Sequence, residues 1–101
     1  MKCYFVVPIK ISDDSFVADY VANVTPLVHK HGGQYIARTP HMEKLEGAGD
    51  PPDIFVLVEW PSKEAAKAFY DDPAYQPYKQ SRQAGSSGDF FMVAGEDIAA
   101  E

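Results

Sequence analysis

The chain has 101 residues, with 15 acidic side chains against 9 basic ones and a formal charge of −6. This length makes one domain, and the charge argues against nucleic acid or an anionic membrane surface as a general partner. A single cysteine, Cys3, excludes an intrachain disulfide, and no apolar run approaches the roughly 20 residues of a membrane span, so a cytoplasmic setting is expected.

Lys2 to Ile11 reads as a strand. Cys3, Phe5, Val7, Ile9 and Ile11 make one apolar row, and Tyr4 and Val6 make the other partly apolar. Pro8 lacks an amide donor, which predicts a free edge or a bulge beside it. Ser12 to Ser15 supplies cap oxygens and acids for a helix start. Phe16, Tyr20, Val24 and Leu27 or Val28 then recur at helical spacing, widened by Val17 and Val21. A helix is expected from about Asp13 to His31, with a kink or break near Pro26. Gly32 is placed to cap it in the left-handed conformation, and Gly33 to let the chain reverse.

Strict alternation over Gln34 to Thr39 puts Gln34, Ile36 and Arg38 on one face and Tyr35 and Ala37 on the other. The strand is read as resuming over Met42 to Leu45 after a bend at Pro40-His41. Glu46 to Asp53, with two Gly, two Pro and two Asp, is a loop. Ile54 to Trp60 is apolar on both faces, as a central strand should be. Ser62 caps a second helix, which Asp71-Asp72-Pro73 interrupts; Tyr75, Tyr78 and Arg82 then share a helical face. Gly85 to Gly88 reads as a short turn, Asp89 to Ala94 as the last strand, and residues 96–101 as a loose acidic tail to a domain of residues 1–95.

The order β-α-β-β-α-β is the split βαβ of the α+β ferredoxin-like folds: a four-stranded antiparallel sheet with both helices on one face. Apolar residues make up 46% of the chain, with six Phe, six Tyr and one Trp. A chain this short buries only roughly 60–70% of its unfolded surface. Two helices cover one sheet face, while strands one, three and four are apolar on both. The other face is therefore expected to be covered by the same face of a second copy, giving a homodimer built sheet against sheet.

The chain also resembles the DUF1330 family of the dimeric α/β-barrel superfamily, nearly end to end. The resemblance rests on Gly32-Gly33-Gln34-Tyr35, Ala37-Arg38, Leu45-Glu46-Gly47, Val58-Glu59-Trp60-Pro61-Ser62 and Glu64-Ala65-Ala66. It continues through Tyr70, Asp72-Pro73-Ala74-Tyr75-Gln76 and Arg82. Departures from the family pattern stand at Gln34, where a basic residue is frequent, at Ala74, commonly Glu, and at Trp60, usually Phe. The resemblance implies a ferredoxin-like protomer and a dimeric barrel, but no reaction. Superfamily relatives include cofactor-free monooxygenases, isomerases and haem enzymes, and such a fold analogy does not transfer chemistry.

The natural cavity of such a protomer lies between the helices and the concave sheet face. Arg38, Tyr35, Glu46, Trp60, Tyr75 and Arg82 are the candidate ligand-binding residues. Arg38 offers a planar fork for a carboxylate or enolate, or alternatively a salt bridge to Glu46 or Glu59. His41, Glu59 and Tyr70 are the catalytic candidates: a histidine that changes charge near neutral pH, an acid among apolar neighbours, and a phenol able to donate to an oxyanion. Their ordinary roles are an exposed loop histidine, a paired surface acid and a packed ring. No Cys/His cluster suggests a protein-bound metal, no histidine is placed for haem, and no phosphate-binding glycine motif occurs, so no cofactor is expected. Two functions follow: a cofactor-independent enzyme (proton transfer or oxygenation) on a small carbonyl, phenolic or carboxylate compound, or a module that binds a small organic anion or a partner without turnover.

Overall fold

The first strand, β1 (Cys3–Ile11), carries apolar residues on both rows and accordingly lies in the middle of the sheet. The computed structural model describes residues 1–100. A short 3-10 turn (Asp14–Phe16) leads into α1 (Val17–Lys30), followed by β2 (Gln34–Thr39), β3 (Ile54–Trp60), α2 (Lys63–Tyr70), α3 (Gln76–Gly85), β4 (Ser86–Ser87) and β5 (Phe91–Ala94). The strands form one antiparallel sheet in the order β2-β3-β1-β4, with β5 also paired to β1. This is the α+β ferredoxin-like arrangement, with its fourth strand delivered in two pieces.

That division has a local cause. Odd-numbered positions of β1 bond toward β3, as the Asp53 amide donating to the Ile9 carbonyl shows, and even-numbered positions face the other neighbour, as Gly95 donating to Lys2 shows. Pro8 therefore presents its missing amide to the fourth strand, where a ladder bond cannot form. Pairing stops between Ser86–Ser87, opposite Lys10–Ile11, and Phe91–Ala94, opposite Cys3–Val6. Gly88 crosses the gap at φ +132, and a Cβ there would meet the Pro8 carbonyl oxygen at 2.2 Å. The Gly85-to-Gly88 turn is thus a paired strand at Ser86–Ser87, and the last strand begins at Phe91 instead of Asp89.

The helix starts as its cap predicts: Asp13 accepts from the Ser15 amide, which also lowers the carboxyl's proton affinity. Pro26 does not break α1. Both Pro26 and Ala22 are exposed, so the carbonyl left without an amide partner faces water. At the C-terminus Gly32 (φ +87) donates to the His29 carbonyl and Gly33 to that of Val28, a Schellman end. Gly33 does more than release the chain. A Cβ there would lie 2.7 Å from Val28 and 2.8 Å from the Trp60 ring, so glycine is what lets β2 pass the core.

The core sits between the sheet and the helices. Cys3, Phe5 and Val7 from β1, Val58 and Trp60 from β3, Val24 and Val28 from α1, and Ala66 and Phe69 from α2 are all buried. By register, Val6, Leu57, Phe55, Phe91 and Val93 lie on the opposite sheet face. That face is apolar and unsheltered: Phe91 is 52% exposed and Val93 44%.

Strand β2 departs from strict alternation. A bulge between Tyr35 and Ala37 leaves Ile36 unpaired, so Tyr35 opposite Val58 and Arg38 opposite Val56 fall on the inner face. Arg38 thus shares a face with Tyr35, not with Ile36. The expected continuation over Met42 to Leu45 does not form, and residues 40–53 are loop throughout.

Candidate functional site

The inner layer is not filled everywhere. Beyond the rings of Trp60 and Phe69 it opens into a cavity of about 110 Å³, floored by Phe5, Val7, Ile9 and Val56 and roofed by Val17, Val21 and Val24 of α1. This is the order of size that accepts a single benzene-sized molecule. Short valines on the helix facing β-branched residues on the sheet leave this space, because neither side reaches across it.

The polar groups in this wall come from four elements. Tyr20 of α1 and Tyr75, just before α3, meet hydroxyl to hydroxyl at 2.7 Å. Tyr75 is fully buried. One of the two hydroxyl protons is used between them and the other remains free to donate. Burial, then the neighbouring Tyr75 hydroxyl, pushes the Tyr20 phenol well above its ordinary range, so it stays a neutral donor.

Arg82 of α3 faces this pair. Among the described residues it is the only charged side chain that is buried, at 8% exposure. No carboxylate lies within salt-bridge distance among the described residues, and its Nε–H has no hydrogen-bond partner. The Phe90 ring lies 5.0 Å from the guanidinium carbon. Burial opposes the charge on Arg82, but the hydroxyls of Tyr75 and Tyr20 favour it and outweigh burial, so its proton is held more tightly than usual. An unpaired buried cation is costly, and native structures seldom keep one without a use.

Arg38 enters from the other flank. Its guanidinium lies 3.8 Å over the Tyr35 ring and donates to the Thr25 hydroxyl of α1 at 2.7 Å. Neither Glu46 nor Glu59 pairs with it among the described residues. Burial raises the Tyr35 phenol, partly offset by Arg38 and Thr25.

Of the residues singled out from sequence, the fold therefore gathers Arg38, Tyr35, Tyr75 and Arg82 around one cavity. Trp60 is fully buried in the adjoining aromatic cluster, its ring 5.1 Å from Phe5. Tyr70 packs on Phe90 and Phe5 beside a second, more polar recess of about 170 Å³ that shares Arg82 as a wall. Glu59 points to the opposite sheet face, where it pairs with Lys2 at 3.3 Å and accepts from the Tyr4 hydroxyl. Glu46 and His41 are exposed in the 40–53 loop. Tyr20 was not among the expected site residues. Its signal was present as a phenol on the apolar stripe of a helix, where a buried hydroxyl needs a partner. Thr25, which holds Arg38, gave no comparable signal.

Among the described residues no group of His, Cys, Asp and Glu is arranged to hold a metal ion. No helix of the structure is long and apolar enough to cross a membrane.

A family model described as a domain of unknown function (DUF1330) matches residues 2–96. No curated protein matches the chain by sequence. Similar solved structures include a protein of unknown function from Rhodopseudomonas palustris, at 17% identity and TM-score 0.81 over 95% of this chain and 83% of that one. SnoaB, a cofactor-independent oxygenase from Streptomyces nogalater, aligns at 14% identity and TM-score 0.65 over 99% of this chain and 98% of its own. Rv0793 from Mycobacterium tuberculosis aligns at 11% identity and TM-score 0.57 over 99% and 100%. Likeness at these identities establishes the fold.

Proposed function

From the premise that the chain belongs to the DUF1330 family, whose model spans residues 2–96, we propose that it takes up a small organic anion in its inner cavity and acts on it without a cofactor. The observation that carries this reading is Arg82, a buried guanidinium with no carboxylate beside it among the described residues, facing a tyrosine pair with one proton to give. A phenolate, enolate or carboxylate supplies the missing negative charge, and its apolar body fills the space between the valines. A phenol or enol held there is favoured as its anion, the form in which carbon is electron-rich enough for proton transfer or oxygenation. Arg82, Tyr20 and Tyr75 bind and orient the oxyanion. The oxygenase in a similar fold supports the class of reaction by analogy alone.

Capture without turnover is the second reading. It is favoured by the lining itself, which includes no carboxylate and no imidazole able to remove a proton. A thermal-shift screen of phenol, benzoate and related single-ring acids finds the ligand, and mass spectrometry of the incubated hit separates the two readings. Stabilisation that survives Arg82→Gln overturns the cavity as the site. A ligand recovered unaltered in air overturns the enzyme and leaves the binding module.

The unsheltered sheet face carries the second part of the proposal: two copies pair through Val6, Leu57, Phe55 and Phe91. Light scattering is expected to give a dimer, and Leu57→Lys a monomer; a native monomer at micromolar concentration overturns this assembly. A cytoplasmic setting fits the single buried, unpaired Cys3.

A further inference from the structure

The cavity has a cation on each flank. The chain's two arginines, Arg38 and Arg82, both line it. Sheet order sets them apart: Arg38 stands on the outer strand β2, while Arg82 stands on α3, which leads directly into β4 at the other side of β1. Between them lie only apolar strand residues, Val56 of β3 and Val7 and Ile9 of β1. Neither guanidinium has an acid partner among the described residues. Each has neutral neighbours instead. Arg38 is fixed by the Thr25 hydroxyl and the Tyr35 ring, and Arg82 lies beside the tyrosine pair and the Phe90 ring. Two prepositioned cations across an apolar gap suit a ligand with an anionic group at each end.

We infer that the cavity recognises a two-headed acid: one ring with an oxyanion at each end, one seated on Arg82 and the Tyr20–Tyr75 hydroxyls, the other on Arg38. This deepens the single-anion reading above and rests on it. Arg82 is the desolvated seat and Arg38 the exposed one. The first head to enter crosses the apolar gap, and the second stays at the mouth. A single-ring spacer suits the cavity, whose volume of about 110 Å³ is of the order that holds one ring.

The test compares benzoate, with one acidic head, against terephthalate and 4-hydroxybenzoate, with two (in the latter a phenol, neutral in solution and an oxyanion only after losing its proton), by calorimetry on the wild-type protein and on Arg38→Gln and Arg82→Gln. A charged hydrogen-bonded contact is worth about tenfold or more in affinity. One of the two-headed acids is therefore expected to bind about tenfold tighter than benzoate. That advantage is expected to vanish in Arg38→Gln, in which one- and two-headed acids bind alike. Arg38 is exposed, so this variant folds and carries the test even where Arg82→Gln does not. Equal binding of one- and two-headed acids, or an advantage that survives Arg38→Gln, overturns the two-headed ligand and leaves the single-anion reading standing. Benzoate binding that also survives Arg82→Gln, or no binding by any of the three, removes both.

Discussion

The layer between sheet and helices has a filled half built from aromatic rings and a hollow half lined mainly by aliphatic side chains. In the filled half Trp60, Phe69 and Tyr75 stack with ring centroids 5.3 and 4.4 Å apart, and Gly33 lets β2 close against them. In the hollow half valines and isoleucines face each other across a gap with an arginine on either flank. The aromatic half supplies cohesion, through large rings that exclude water. The aliphatic half gives up that cohesion and keeps two cations without acid partners among the described residues. The difference teaches where to look for function: the proposed site lies where the chain declines to fill its own core.

The comparison breaks most visibly if the filled half proves dispensable. Trp60→Ala is expected to cost about 3–5 kcal/mol in denaturant unfolding, since a fully buried ring leaves a cavity its neighbours cannot close. A loss below about 1 kcal/mol would show that the rings are not what holds the layer. Gly33→Ala is next, at about 1–3 kcal/mol by the same measurement, because the added methyl lands within 2.9 Å of the Trp60 ring.

The hollow half should respond with the opposite sign. Arg82→Met replaces an unpaired buried cation by an apolar chain of similar reach, and stability is expected to rise by about 1 kcal/mol while binding of benzoate is lost. A marked loss of stability instead would make Arg82 part of the scaffold. The smallest effect concerns the edge of the filled half, where His31 at the end of α1 meets Asp72 between α2 and α3 at 2.8 Å. The hydrogen bond from His31, then that from the Ala74 amide, holds the Asp72 carboxyl below its usual range. A depressed carboxyl contributes stability above its unfolded value of about 4, and loses it as pH falls through the lower folded value. Asp72→Asn is therefore expected to flatten the stability curve slightly below about pH 4 and leave its slope above pH 5 unchanged, measured by urea unfolding across that range.

Much of the fold could be read from local chemistry. Ser62 accepts from the Ala65 amide and starts α2 where its type and position say it should. Gly32 ends α1, Ile54–Trp60 spans the strand its composition predicts, and Tyr75, Tyr78 and Arg82 share the α3 face. Four of the candidates read in the same way, Arg38, Tyr35, Tyr75 and Arg82, line one cavity. Glu59 could not be placed by composition, because its strand is apolar on both faces; only the register against β1, with Glu59 opposite Tyr4, put it on the face away from the cavity. Tyr20 escaped for a related reason: a tyrosine on an apolar stripe reads as packing until its hydroxyl partner, 55 positions away, is known.

By itself, then, the order of side chains determined the elements, their caps and the surplus of apolar surface, since each depends on neighbours within a turn or two. Tertiary structure alone decided which faces met. The bulge at Ile36 moved Arg38 onto Tyr35, because strand alternation has a period of two and one extra residue reverses every side chain beyond it. Pro8 and Gly88 split the last strand, because a missing amide matters only opposite the strand that needed it. Arg82 became an unpaired cation only when the fold buried it away from every acid among the described residues, and no local pattern records which charges end up without a partner.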